Sequence, residues 1–124
     1  MKNNPYIKNL NTAVFDIETM GLFPARDMLV LGGIYSVNDE KMLQFFCENP
    51  SQEPEVIEKI ITELSCYDAV ITYNGDSFDW PFLRRRAEKN NVPYDPAPMH
   101  SVDLYRWLKL YWPQAKNMPS LRQK

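Results

Sequence analysis

Two acidic residues set inside an apolar strand pattern constrain this chain more than anything else in it. The stretch Val14-Phe15-Asp16-Ile17-Glu18-Thr19 has β-branched or aromatic residues at 14, 15, 17 and 19, the composition of a short buried strand. Successive side chains of a strand point to opposite faces, so Asp16 and Glu18 leave from the same face, roughly 6–7 Å apart along it. Two carboxylates are costly to hold within such a strand unless positive charge stands between them. A hard divalent cation such as magnesium or manganese, which takes carboxylate oxygens, would serve. The same acids would equally suit an edge or strand end where both face water. The hexapeptide alone leaves both readings open.

The rest of the chain sets the bounds. Its 124 residues suffice for one domain with a core and are too few for two. Apolar and charged fractions of 44% and 24% are those of a soluble globular protein. A formal net charge of −2 offers no global attraction to nucleic acid or to anionic membranes. It does not exclude a nucleic-acid enzyme, because an acidic metal site offsets basic residues elsewhere. Cys47 and Cys66 have no metal-ligand spacing and are expected to be reduced, partly buried residues of a cytosolic protein. The polar N-terminus, MKNNPYIKNLN, lacks the apolar segment of a secretory signal, and no apolar run is long enough to span a bilayer. The expected location is the cytoplasm, with no membrane partner.

Taken in order, residues 1–11 form a lead-in arm and a first strand covers Thr12–Thr19. Gly21, Leu22, Phe23 and Pro24 make a loop. Met28–Ser36 is nearly all apolar, as in a central strand, and Gly32-Gly33 within it points to a bulge or to close packing. A turn at Asn38-Asp39-Glu40 leads into a third strand, Lys41–Glu48, and its shortness makes the pair an antiparallel hairpin. Ser51, Glu53, Pro54 and Glu55 signal a helix start. That helix runs to about Ser65, with Val56, Ile57, Ile60, Ile61 and Leu64 in one apolar stripe. Asp68–Tyr73 is a buried fourth strand, expected to lie parallel to one already in the sheet. A second helix spans Asp79 or Pro81 to about Asn90. After a proline-rich loop over 92–99 come a short strand at His100–Asp103 and a helix through Tyr105, Leu108 and Trp112. Pro119-Ser120-Leu121 has the look of a further helix start. This order predicts one three-layer α/β domain with a mixed five-stranded sheet flanked by helices.

The second informative stretch is Tyr73-Asn74-Gly75-Asp76-Ser77-Phe78-Asp79-Trp80-Pro81-Phe82-Leu83, which begins at a strand end and runs into a helix. Asp79 alone makes a reasonable helix N-cap, and Asn-Gly an ordinary turn. Parallel strands one and four, however, would end on the same side of the sheet and bring Asp79 towards Asp16 and Glu18. Three carboxylates so delivered resemble a two-metal phosphoryl-transfer site. Arg84, Arg85, Arg86 and Lys89 follow; such a run is a solvated helix face, with phosphate contact as the alternative. His100 is expected to be exposed at a strand start. Asp103 is expected to be a helix cap or structural carboxylate. Tyr105, Trp107, Tyr111 and Trp112 are expected to serve mostly as core.

With both stretches assembled, FDIETMGL resembles the first motif, and YNGDSFDWPFL the second motif, of the DEDD superfamily of 3′–5′ exonucleases. The wording NG-x-x-FD-x-PFL is most similar to the YprB-like ribonuclease H-like predicted exonucleases, and the exonuclease domains of family B DNA polymerases have a similar form. The resemblance covers about residues 12–112. It implies a ribonuclease H-like fold and two divalent ions, magnesium or manganese. Asp16, Glu18 and Asp79 match the family's first three metal-ligand and catalytic acids. The resemblance further implies that Thr19, Met20, Gly21 and Leu22 hold the terminal nucleotide, with Leu22 as an apolar wedge, and that Asn74 and Phe78 line the opposite wall.

The family's third motif supplies a fourth aspartate, with a tyrosine or histidine four or five positions before it. No acidic residue follows Asp103 in the 124 residues. The expectation is a single domain over 1–124, incomplete at its C-terminus. Its function would be hydrolysis of phosphodiester bonds at a single-stranded or frayed 3′ end of DNA or RNA, impaired by the missing acid. The competing expectation is a non-catalytic nucleic-acid-binding or assembly module that keeps the fold.

Overall fold

The computed structural model describes residues 10–95 and 100–112. Most of the lead-in arm expected over 1–11 and the helix start expected at Pro119-Ser120-Leu121 lie outside the described residues. Five strands and three α-helices alternate: β1 (Thr12–Thr19), β2 (Leu29–Ser36), β3 (Lys41–Phe46), α1 (Glu53–Leu64), β4 (Ala69–Thr72), α2 (Asp79–Lys89), β5 (His100–Asp103) and α3 (Leu104–Tyr111). The strands form one mixed sheet in the order β3-β2-β1-β4-β5. β1, β2 and β3 pair antiparallel, while β4 lies parallel to β1 and β5 parallel to β4. The expected mixed five-stranded α/β architecture is therefore present.

The alternation of β1 decides where the core sits. Ala13, Phe15 and Ile17 are fully buried on one face, which α1 and α2 cover. Val56, Ile57, Ile60 and Leu64 supply the buried stripe of α1, and Phe82, Leu83 and Ala87 that of α2. Gly32 shows why a glycine interrupts β2. A Cβ there would come within 2.4 Å of Ile60 Cδ1, so the glycine lets α1 settle close on the sheet. Close packing is thus the correct choice for Gly32, and the register shift of the sheet falls on β1, between Glu18 and Thr19. The opposite face carries Val14, Asp16 and Glu18 on β1, with Met42 and Phe46 of the edge strand β3, all exposed.

Ser51, upstream of α1 as expected of a helix-start signal, lies in a short 3-10 turn, Pro50–Gln52, whose own cap is Asn49. One expectation needs correction. The aromatics of α3 are not core residues. Trp107, Tyr111 and Trp112 are exposed, because no residue of α3 is buried and its apolar side is left uncovered by the described residues. Only Tyr105 packs inward, its ring 5.4 Å from that of Tyr73. His100 is exposed at the start of β5, as its position implied. Cys47 is buried, Cys66 is exposed, and both are free.

Candidate active site

The site begins where the sheet opens. β1 and β4 pair only through Thr12, Ala13 and Val14, so beyond Val14 the backbone of β1 has β2 on one side and, among the described residues, no strand on the other. The chain leaves β4 through a turn in which Asn74 takes a left-handed conformation, φ 62°, one that asparagine tolerates better than most residues. Gly75 follows, where a Cβ would stand 2.2 Å from Thr72 Oγ1. Asp103 fixes this turn. Its carboxylate accepts from the amides of Asn74 (2.7 Å), Asp76 (3.1 Å) and Tyr105 (2.9 Å). It is therefore both the cap of α3 and the anchor of the turn, in line with a structural carboxylate.

The turn delivers Asp79 as the first residue of α2. The cap position of that helix is Phe78, without a side-chain cap bond, so Asp79 is not the N-cap residue. Instead Asp79 Oδ2 accepts from the amide of Ile17 at 3.1 Å, in the gap left by β4 and between the two acidic residues of β1. The residue is 1% exposed. Burial pushes its carboxyl up to about 7; the amide of Ile17 opposes the shift, and the nearby charges of Asp103 and Glu18 add to it. Asp16 and Glu18, by contrast, stand on the exposed face.

The oxygen donors suit a hard divalent ion, and a carboxyl raised by burial, with neighbouring carboxylates adding to the shift, is what such an ion would relieve. Geometrically the fit is partial. Among the described residues, no group of three or more His, Cys, Asp or Glu side chains is placed to hold a metal ion. Asp79 is turned onto the β1 backbone, while Asp16 and Glu18 face outwards.

The residues expected to take a nucleotide divide into two sets. Thr19, Met20, Gly21 and Leu22 form the loop after β1, where Thr19 Oγ1 donates to the Gly21 carbonyl at 2.7 Å. Met20, Leu22 and the adjoining Phe23 are 71%, 53% and 60% exposed, a cluster of apolar side chains held in solvent. Asn74 is buried, and Phe78 is half-buried with its ring 5.3 Å from that of Phe82. These two shape the turn beneath Asp79. The described clefts lie beside α2. One, of about 400 Å³, is lined by Phe23, Pro24, Ala25, Pro81, Arg84, Arg85 and Glu88. The other, of about 210 Å³, is lined by Asp76, Trp80, Pro81, Arg84 and Tyr94.

A family model of the ribonuclease H superfamily matches residues 13–122. The chain belongs to the ribonuclease H superfamily. Among curated relatives of this ribonuclease H superfamily chain is a DNA polymerase of Archaeoglobus fulgidus, 30% identical over 92 residues, which cover 69% of this chain and 11% of the polymerase. A DNA polymerase of Methanocaldococcus jannaschii is 34% identical over 92 residues, 66% of this chain and 6% of that one. A catalytic polypeptide of DNA polymerase epsilon from Debaryomyces hansenii is 31% identical over 117 residues, 80% of this chain and 5% of that one. The chain thus spans no more than 11% of the length of these relatives. A solved family B DNA polymerase of Pyrobaculum calidifontis superposes with a TM-score of 0.74 at 22% identity, over 86% of this chain and 17% of that one. At that identity the likeness shows the fold.

The structure also separates the arginine run. Arg84 and Arg85 are exposed, with Arg85 paired to Glu88 at 3.2 Å, which agrees with a solvated face. Arg86 departs from it: it is buried and pairs with Glu53. The signal was available, since Arg86 lies four residues after Phe82 and three after Leu83, on the inward stripe of α2. Among the described residues, no helix is long and apolar enough to cross a membrane.

Proposed function

We propose that this domain is a metal-dependent 3′–5′ exonuclease module, acting on a single-stranded or frayed 3′ end of DNA or RNA. The observation that carries the reading is the bond from Asp79 to the Ile17 amide, which ties the second acidic motif onto β1 between Asp16 and Glu18. A divalent ion bound by Asp16, Glu18 and Asp79 would activate a water and offset charge on the phosphate. The chain's own residues do the positioning. Asp16 and Glu18 face the solvent side of the sheet, where a phosphate can approach. The exposed loop residues Met20 and Leu22 offer apolar surface against which a terminal base can stack or be wedged. Asp103 holds the turn from which Asp79 projects.

The test is hydrolysis of a 5′-labelled single strand with manganese. Shortening from the 3′ end, abolished in Asp16→Asn, is the expected result. Products that persist in Asp16→Asn would remove the site assignment. The absence of a three-carboxylate group among the described residues favours a second reading: a nucleic-acid-binding or assembly module without turnover. Single-strand binding that does not depend on metal, with no hydrolysis, would select it.

A further inference from the structure

Glu53 and Arg86 form a buried ion pair away from the acidic site, and only 1% and 9% of their surfaces are exposed. Burying two charges is expensive, and a pair of apolar residues would fill the same space at least as stably. The geometry of the pair shows what the charges achieve. Arg86 Nε donates to Glu53 Oε2 at 2.8 Å, and Arg86 Nη2 pairs with Glu53 Oε1. Asn90 Nδ2 donates to the same Oε1 at 3.0 Å. Two further bonds leave the cluster, one to the loop joining β1 to β2 and one to the first residue of β2, where that loop ends. Glu53 Oε2 accepts from the amide of Leu29 (2.8 Å), at the loop's far end, and Arg86 Nη1 donates to the carbonyl of Pro24 (3.1 Å), at its middle.

The loop has its own internal closure. The Met20 amide donates to the Met28 carbonyl (3.0 Å), and the Phe23 amide donates to Asp27 Oδ2 (3.0 Å). Those bonds shape the loop; the Glu53–Arg86 cluster joins it to α1 and α2. Met28 packs against the core at the loop's end, whereas Met20, Leu22 and Phe23 point into solvent, so the outer part depends on that attachment. Arginine suits this task because its planar fork can bind one carboxylate with two nitrogens and still turn a third towards a carbonyl. A lysine would keep the charge and lose the reach.

We propose that Arg86 is a positioning residue for nucleotide binding: bridging Glu53 to the Pro24 carbonyl, it holds the loop so that Met20, Leu22 and Phe23 present a fixed apolar platform to the last base of a single strand. This rests on the reading of the site as one for a nucleic-acid end, so its test has two independent arms. Amide hydrogen exchange of residues 20–28 reports the clamp. Fluorescence anisotropy of a labelled thymidine hexanucleotide, with calcium replacing the catalytic metal, reports binding by the folded chain. In Arg86→Lys, exchange over 20–28 should rise and affinity fall, each about tenfold, the worth of one charge-assisted hydrogen bond. If Arg86→Lys does not fold, the double variant Glu53→Gln/Arg86→Met, which leaves no buried charge unpaired, carries the same expectation. Unchanged exchange over 20–28 in the folded variant overturns the clamp. Raised exchange with unaltered affinity overturns its role in binding, because a merely structural pair would lower stability and leave the affinity of folded molecules alone. A wild-type chain that binds no oligonucleotide overturns the nucleic-acid reading, and the exchange arm then decides the clamp by itself.

Discussion

Asp79 and Asp103 are buried carboxylates in one corner of the molecule, and their partners give them different work. Asp103 is surrounded by three amide donors. Asp79 takes the Ile17 amide, and burial holds its carboxyl up at about 7. Asn at position 79 would keep an oxygen for Ile17 and remove the charge. Asp79→Asn is therefore expected to melt no lower than wild type at pH 8, where the wild-type carboxyl is ionised in a buried setting. Wild type should gain thermal stability on addition of millimolar manganese, and the variant should not. Calorimetry with and without the metal checks both; an equal manganese response would show that Asp79 is no ligand. That the acids of β1 share one face was legible in the sequence, because strand side chains alternate. Half of what Asp103 does was legible too, as the cap of α3. Its hold on the Asn74 turn was not, since that depends on β5 lying beside β4, a contact that local spacing does not encode.

At the scale of elements, periodicity carried most of the information. The apolar stripe of α1 and the buried residues of β1 fall where alternation and helical spacing put them. Arg86 escaped because three arginines in a row look like a solvated surface, whatever stripe one of them occupies. The aromatics of α3 escaped for the converse reason: an apolar helix side implies a covering partner, and the described residues supply none. The contact of β2 with α1 gives a sharp comparison. Gly32→Ala would drive a methyl group into Ile60, itself fully buried and unable to yield. It should cost about 1–3 kcal/mol, the usual range for overpacking a core. Gly33, one residue on and facing the other way, has its nearest neighbour at 3.7 Å. Its alanine variant should stay within about 0.5 kcal/mol of wild type, because the added methyl would meet only ordinary van der Waals contact. Urea unfolding of both variants measures the difference, and equal losses would contradict the close approach of α1.

For the whole molecule, the Glu53–Arg86 cluster ties two helices and a strand connection into one unit, and its ionisation should be felt globally. Burial by itself would raise the Glu53 carboxyl. The Arg86 guanidinium, the Leu29 amide and Asn90 outweigh that and hold it below its ordinary value of 4.5. An acid whose pKa is lower folded than unfolded adds stability above its unfolded value, and that stability is lost as pH falls through the folded one. The urea midpoint of wild type should thus fall as pH drops from about 5 towards about 3. In Glu53→Gln/Arg86→Met this component should be missing, so the two profiles approach each other in acid. Parallel profiles would mean that Glu53 contributes no such linkage.

The parting of β1 from β4 after Val14 has a mechanical meaning. A strand paired on both sides is part of a wall; beyond that point β1 keeps β2 on one side, and on the other it meets the Asp79 carboxylate at the tip of α2. Any drift of α2 along its own axis would pull on that bond and change the spacing of Asp16 and Glu18 from Asp79. The acidic site and the docking of α2 are then one cooperative object, because Phe15 and Ile17 of β1 share one core with Phe82 and Leu83 of α2.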